Sequence, residues 1–209
     1  MADWTTISAL ATAGGTLVLA AATFTSVKSA NRAARVAERS LMAGLRPLLV
    51  PSRLDDPEQK VGFQDDVWLK VPGGQAQAEV SSDAVYLAAS LRNVATGIAV
   101  LHGWKFYSER NFTSEHPAPE DFTRLTRDIY VPAGDVGFWQ GSFRDPAAPE
   151  FAEAASVISA RQPFSVDILY GDQEGGQRVI TRISFMPRPE TGWITAAGRH
   201  WNVDRDDPR

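Results

Sequence analysis

Cysteine is absent from all 209 residues, and that absence removes disulfides, thiol nucleophiles and cysteine-ligated metal together. Histidine is nearly as scarce. His102, His116 and His200 stand too far apart for the H-x-H or H-x-x-x-H spacing that sets two imidazoles on one ion, so no metal centre is expected. The phosphate-binding G-x-x-x-x-G-K-S/T and G-x-G-x-x-G loops, the G-x-S-x-G nucleophile turn and the D-x-D-x-D-G calcium loop are all missing. The glycine-rich "GDQEGG" joins two strand-like segments and lacks the helix start that a phosphate cradle uses. Asp65 with Asp66, Asp172 with Glu174, and Asp204 with Asp206 and Asp207 read as loop tips and a solvated tail. No catalytic residue, metal ligand or cofactor is assigned, and the chain is not expected to be an enzyme. A net charge of -4 lacks the basic surface that nucleic acid requires, so no nucleic-acid partner is expected.

Charge itself is missing from Trp4 to Val27, an uninterrupted run of 24 residues. As a helix it would reach about 36 Å, enough for a hydrocarbon layer of roughly 30 Å. Residues 1–27 are therefore predicted to be a transmembrane helix, with Trp4 as an interfacial anchor. A cleaved signal peptide would want basic residues before its apolar stretch, and only Asp3 stands there. A core helix of a soluble protein would carry a polar side, and this run has none with charge. The small pairs Ala11 with Gly15 and Ser8 with Thr12 permit close helix approach, which leaves homo-oligomerisation through the span open.

Positive charge gathers directly behind the run. Residues 28–46 hold Lys28, Arg32, Arg35, Arg39 and Arg46 against the single acid Glu38. The first four fall within about 60° of one another around a helix, opposite Ala30, Ala33, Ala37 and Leu41. Residues 28–46 are predicted to be a basic amphipathic juxtamembrane helix that ends at Arg46, because Pro47 disfavours helical geometry before it. Basic residues beside a span mark its cytoplasmic end, so the expected orientation puts the N-terminus outside and everything after Val27 in the cytoplasm. The stripe has the charge to contact anionic lipid headgroups, and a solvated helix face without a partner is the alternative reading.

Beyond Pro47 the period changes to two. In "AVYLAASLRN", Val85, Leu87, Ala89 and Leu91 share a face; in "IAVLHGWKFY", Ile98, Val100, Trp104 and Phe106 are expected to do so. "PFSVDILYGDQEGGQRVITRISF" reads as a hairpin with Phe164, Val166, Ile168 and Tyr170 inward, answered by Val179, Ile183 and Phe185. "RDIYVPAGDVGFWQGSF" reads as strand, turn, strand, and "GWITAA" with "RHWNV" as a terminal pair. "PEFAEAASVISA" is the one helix candidate. The stretch from Leu54 to Gln77 reads as irregular and "SERNFTSEHPAPEDFTR" as a long exposed loop holding the sequon Asn111-Phe112-Thr113. Trp104, Trp139, Trp193 and Trp201 are assigned to the core. The fold class is mainly β: an antiparallel immunoglobulin-like or fibronectin-like sandwich over residues 47–204, with a polar tail at 205–209.

The uncharged run, the Ala/Arg-rich segment ending in "LRPLLV", and the stretches "LRNVATGIAV" and "YGDQEGGQRVITRI" together resemble single-pass bacterial membrane proteins of uncharacterised function. "LRNVATGIA" also looks like the strand and turn of immunoglobulin-like adhesion modules, where an Asn and a Gly shape the turn. The resemblance implies a helix-plus-sandwich layout at the bacterial inner membrane and brings no catalytic residues. Three functions follow as expectations: a membrane-tethered cytoplasmic module or scaffold for an unknown protein partner, an accessory subunit of a larger membrane complex, and an exported surface-anchored binding domain.

Overall fold

The computed structural model describes residues 3–205 and divides between Ala43 and Gly44 into a helical unit and a β unit. Of the polar tail, Asp206, Asp207, Pro208 and Arg209 lie outside the described residues.

Helix α1 runs unbroken from Trp4 to Gly44, 41 residues or about 60 Å. Its apolar side chains are bare: Leu10, Leu17, Val18, Leu19 and Phe24 are each about 70% exposed. Five of its hydroxyls are bonded to its own backbone. Thr12, Thr16 and Thr23 donate to the carbonyls of Ser8, Thr12 and Leu19, four residues back, at 2.7–2.9 Å, while Ser8 and Thr25 donate to Thr5 and Ala22. A hydroxyl satisfied by its own helix presents mainly methyl and methylene surface, so these five residues do not oppose burial in lipid. The stretch from Ile7 onward is long and apolar enough to cross a membrane.

The helix ends at Gly44, two residues short of the expected Arg46, because the β unit claims the backbone that follows. Thr96 Oγ1 donates to the Gly44 carbonyl, Leu48 N donates to Asn93 Oδ1 at 3.2 Å, and Val94 N donates to the Leu48 carbonyl at 2.9 Å. The fully buried Asn93 also donates through Nδ2 to the carbonyls of Gly97 and Val131. A methyl group at Gly97 would stand 1.6 Å from the Leu45 carbonyl oxygen, so the residue at 97 must be glycine. "NVATG" is thus the socket that receives the chain as it enters the domain.

The strands are β1 (Leu49–Pro51), β2 (Gln59–Gly62), β3 (Trp68–Val71), β4 (Gln75–Val80), β5 (Val85–Asn93), β6 (Ala99–Tyr107), β7 (Thr123–Val131), β8 (Val136–Phe143), β9 (Phe164–Gly171), β10 (Val179–Pro187) and β11 (Trp193–Asn202). All pairings are antiparallel. The main sheet runs β1-β5-β4-β11-β10-β9-β6-β7, with β8 on the other edge of β5. β4 hands over to β11 through just two residue pairs, Ala76 with Trp193 and Gln75 with Ile194. The sheet turns over at that seam, and its halves share one core: Leu87 and Leu91 from β5, Trp139 from β8, Trp104 from β6, Ile168 from β9 and Phe185 from β10. Phe164 stacks on Phe185 at 4.5 Å and takes the edge of Trp193 at 4.8 Å.

Three expectations change. The segment from Leu54 to Gln77 is not irregular: β2 and β3 form a ribbon whose Val61, Leu69 and Val71 cover Tyr86 and Ala88 on the outer face of β5. The terminal pair is a single strand, β11, bulged at Gly198 opposite the Arg182–Ile183 step. In β6 the inward residues are Ala99 and Leu101, then Trp104 and Phe106, because a register shift at His102 reverses the alternation; Ile98 and Val100 are only half-buried.

Helix α2 spans Pro149–Ser159 as expected, with Pro at the start, Glu150 in the first turn and Ala154, Val157 and Ile158 buried. It stops at Arg161, whose φ of 51° is left-handed and whose guanidinium donates to the Arg188 carbonyl at 2.6 Å.

Candidate functional site

On α1 the four residues Lys28, Arg32, Arg35 and Arg39 are exposed and line one shallow groove with Phe24, Asn31 and Val36. Successive residues of the stripe are three or four positions apart, so from Lys28 to Arg39 it rises about 16 Å along the helix. Trp4, the first helical residue, is 83% exposed. Arg46 is separated from the other four in kind. Its Nη1 donates to Asn202 Oδ1 and its Nε to Gln177 Oε1 at 3.4 Å, and burial lowers its pKa first, with Arg205 adding to the effect. Arg46 therefore fastens the domain entry, while Lys28, Arg32, Arg35 and Arg39 make no ion pair among the described residues.

The β unit carries a second feature, where β7 parts from β6. Leu101 faces Ile129 and Gly103 faces Arg124, so four residues of β7, Leu125 to Asp128, stand opposite the single residue His102. Gly103 lets β7 return: a methyl there would meet the Thr123 carbonyl at 2.9 Å. The detour opens a cleft of about 730 Å³ bordered by His102, Phe122, Arg124, Asp128, Leu169 and Arg178. Burial lowers the His102 pKa, with the charge of Arg178 acting in the same direction, so its imidazole is neutral at pH 7.

On the other side of the detour, β7 and β8 splay apart from the turn at Pro132–Asp135 and leave a narrow groove. Arg124, Arg127 and Arg144 line it with Trp104, Leu125 and Gln140, and no carboxylate does. Arg127 Nη2 reaches across to Gln140 Oε1 at 2.5 Å, and its guanidinium lies 5.5 Å from the Phe138 ring centre. Arg144 is held from outside by Asp65, at 2.8 and 3.3 Å. Arg124 makes no ion pair among the described residues.

The long exposed loop between β6 and β7 is fastened at its middle. On the outer face of the sheet Arg182 donates twice to Asp167, both at 2.7 Å, with side chains 3% and 0% exposed. Tyr107 OH donates to the same carboxylate at 3.0 Å, and the Tyr107 and Trp201 rings lie 5.1 and 4.9 Å from the guanidinium. Arg182 Nη1 then donates to the carbonyl and hydroxyl of Thr113, while Trp201 Nε1 donates to the Ser114 carbonyl at 2.9 Å. Inside the sequon, Asn111 Oδ1 accepts from the Thr113 amide and hydroxyl at 2.9 Å. Trp201 consequently packs with Phe122, Leu169 and Ile180 in a cluster of its own, whereas Trp104, Trp139 and Trp193 occupy the main core.

The other titratable groups singled out from the sequence lie apart. His116 Nδ1 donates to the Pro117 carbonyl at 2.9 Å, and His200 Nδ1 shares a hydrogen bond of 2.7 Å with Thr181 Oγ1. Asp172 is not solvated: it is 3% exposed and accepts from Gly176 N and Gln177 Nε2 within the β9–β10 loop. Asp65 accepts from Arg144 and Tyr86, and these hydrogen bonds hold its pKa below the usual carboxylate range. Among the described residues no three His, Asp or Glu side chains gather in a way that could hold a metal ion.

No known family, curated protein or solved structure matches the chain.

Proposed function

We propose that this protein is a membrane-tethered interaction module: α1 spans the bacterial inner membrane with its N-terminus outside, and the β unit, an immunoglobulin-like scaffold, engages a protein partner at the cytoplasmic face. The observation that carries the reading is one continuous helix in which an uncharged, lipid-compatible stretch is followed by four exposed basic residues on one side. That order of apolar span and positive flank favours a cytoplasmic C-terminal side. Each basic residue near the surface contributes roughly 1 kcal/mol of attraction to anionic lipid, falling off within a Debye length of about 8 Å at physiological salt. Because the stripe lies along a helix axis, Lys28 and Arg32 supply most of this attraction when the helix stands upright.

The β unit supports a binding role through its splayed β7 and β8. Unpaired strand edges and a charged groove are features that recognise extended peptides. An accessory-subunit role is a narrower form of the same reading, in which the partner is itself a membrane protein. The test is affinity purification of the full chain after extraction in mild detergent. A protein recovered in constant proportion to the chain supports the module; a chain that emerges alone at native expression levels contradicts it.

A further inference from the structure

We propose that the free edge of β8, at the groove between β7 and β8, takes an extended acidic segment of the partner as an added strand. This rests on the interaction-module reading above and names the surface and the chemistry of its occupant. Three observations carry it.

The first is the edge itself. β8 pairs with β5 along its full length and with no other strand among the described residues. Its opposite edge therefore carries backbone N–H and C=O groups with no strand on them, half-buried at Phe138 and Ser142 and covered at Gln140, which is 7% exposed with Arg127 hydrogen-bonded to its amide. Edges of folded proteins are ordinarily blunted by charge, proline or short length. β8 has eight residues, "VGFWQGSF", without a charge or a proline. Its glycines are required from within: a methyl at Gly141 would meet the rings of Trp104 and Trp139 at 2.8 Å, and one at Gly137 would meet Val131 at 2.7 Å.

The second is the splay. The residues of β7 that could have covered this edge are those of the detour, Leu125 to Asp128, which pair with neither β6 nor β8. One polar contact, Arg127 to Gln140, crosses the gap. A strand entering there would displace that contact and extend the β5–β8 pair.

The third is charge. Residues 44–209 hold 17 basic against 23 acidic side chains, yet three arginines and no carboxylate line this groove. Arg124 makes no ion pair among the described residues, Arg127 meets a neutral amide, and Arg144 is paired with Asp65; the carboxylates of Glu120 and Asp128 line the neighbouring cleft that Arg124 and Arg127 also border. A peptide bearing Glu or Asp at alternate positions puts its backbone against β8 and its carboxylates against Arg124 and Arg127, since alternate side chains of a strand face one way. A lipid headgroup or nucleic acid would meet the arginines but leave the β8 edge unpaired.

The experiment uses the full chain in detergent micelles and two fluorescein-labelled peptides of alternating sequence, one with Glu and one with Lys at the charged positions. Fluorescence polarisation is expected to show saturable binding of the Glu peptide, weakened several-fold by raising salt from 50 to 300 mM, concentrations set about the screening range. The Lys peptide is expected not to bind. Arg124→Glu, at an exposed residue in no ion pair among the described residues, is expected to weaken binding about fivefold, and Arg124→Glu with Arg127→Glu at least about tenfold. Hydrogen exchange at residues 138–142 is expected to slow in the complex, because strand addition protects the backbone of the edge. Equal binding of the two peptides, insensitivity to both arginine variants, or unchanged exchange in β8 would each overturn the proposal. A partner that co-purifies undiminished with the double variant places the failure in the groove; absence of any partner with the native chain places it in the module reading.

Discussion

Replacing Arg182 by methionine removes the charge while keeping an unbranched side chain of similar reach, and so isolates what the buried ion pair contributes. In the native chain the carboxylate of Asp167 is fully buried and answered by two guanidinium hydrogen bonds and the Tyr107 hydroxyl. After the substitution only the Tyr107 bond remains, on a carboxylate with no access to water. Breaking a buried pair by removing one partner costs about 3–5 kcal/mol. For a domain of this size about 1 kcal/mol corresponds to 2–4 °C, so thermal unfolding in detergent, followed by tryptophan fluorescence, is expected about 6–20 °C lower. Thr113 loses its tie to Arg182 in the same step. Trypsin should then cut after Arg110, beside the released loop, well before the rest of the domain unfolds. Asp167→Leu combined with Arg182→Met removes both charges and is expected to recover more than half of the loss, since apolar replacement of a whole buried pair is often neutral. A Tm change under 2 °C for Arg182→Met with the Arg110 bond still protected would refute the reasoning, because the pair would then behave like a solvated one.

Gly97→Ala is expected to unfold the β unit or lower its Tm by more than 10 °C, as the new methyl falls 1.6 Å from the Leu45 carbonyl and the backbone at 45–48 has nowhere to move; circular dichroism melting checks it. Asn93→Ala strips the bonds to Leu48, Gly97 and Val131 and is expected to cost about 3 kcal/mol or more, at 1–3 kcal/mol per orphaned buried group. Asp65 and Asp204 have pKa values held down chiefly by hydrogen bonds from Arg144 and Arg178. A depressed pKa stabilises the fold above the unfolded value and is lost as pH falls through the folded one, so a pH titration of Tm should fall below about pH 4, and Arg144→Gln should flatten that fall. Changing Lys28, Arg32, Arg35 and Arg39 together to Gln is expected to give a mixture of membrane orientations, read by cysteine accessibility on the two sides.

The faces of β5, β9 and β10 were legible because their alternation runs without interruption, and α2 because its start, its buried stripe and its length agree. Alternation failed where a strand carries an extra residue. His102 inverted the reading of β6, and Gly198 made β11 look like two elements. The β2–β3 ribbon was hidden because one face is buried and the other carries Lys60, Lys70 and the exposed Trp68. Asn93 and Gly97 were recognisable as turn residues; that they clamp Leu45 and Leu48, about fifty residues upstream, depends on topology. Asp167 and Arg182 alternate with core residues along their strands, and nothing in that alternation shows that a loop from elsewhere in the chain covers them. That Lys28, Arg32, Arg35 and Arg39 share one side of α1 was legible, being a matter of spacing on one helix; that Arg46 turns away to Asn202 and Gln177 was not. The arginine groove was not, since Arg124, Arg127 and Arg144 come together only through the splay of two strands.

The proposed orientation of the chain in the membrane can be measured directly because the sequence holds no native cysteine. Thr5 and Ser114 are both exposed, one at the start of α1 and one in the loop of the β unit. Thr5→Cys and Ser114→Cys chains in spheroplasts would be treated with a membrane-impermeant maleimide before and after lysis. Thr5→Cys is expected to react in intact spheroplasts and Ser114→Cys only after lysis, with both chains in the membrane fraction. Labelling of Ser114→Cys before lysis would contradict that orientation and put the β unit on the outer face.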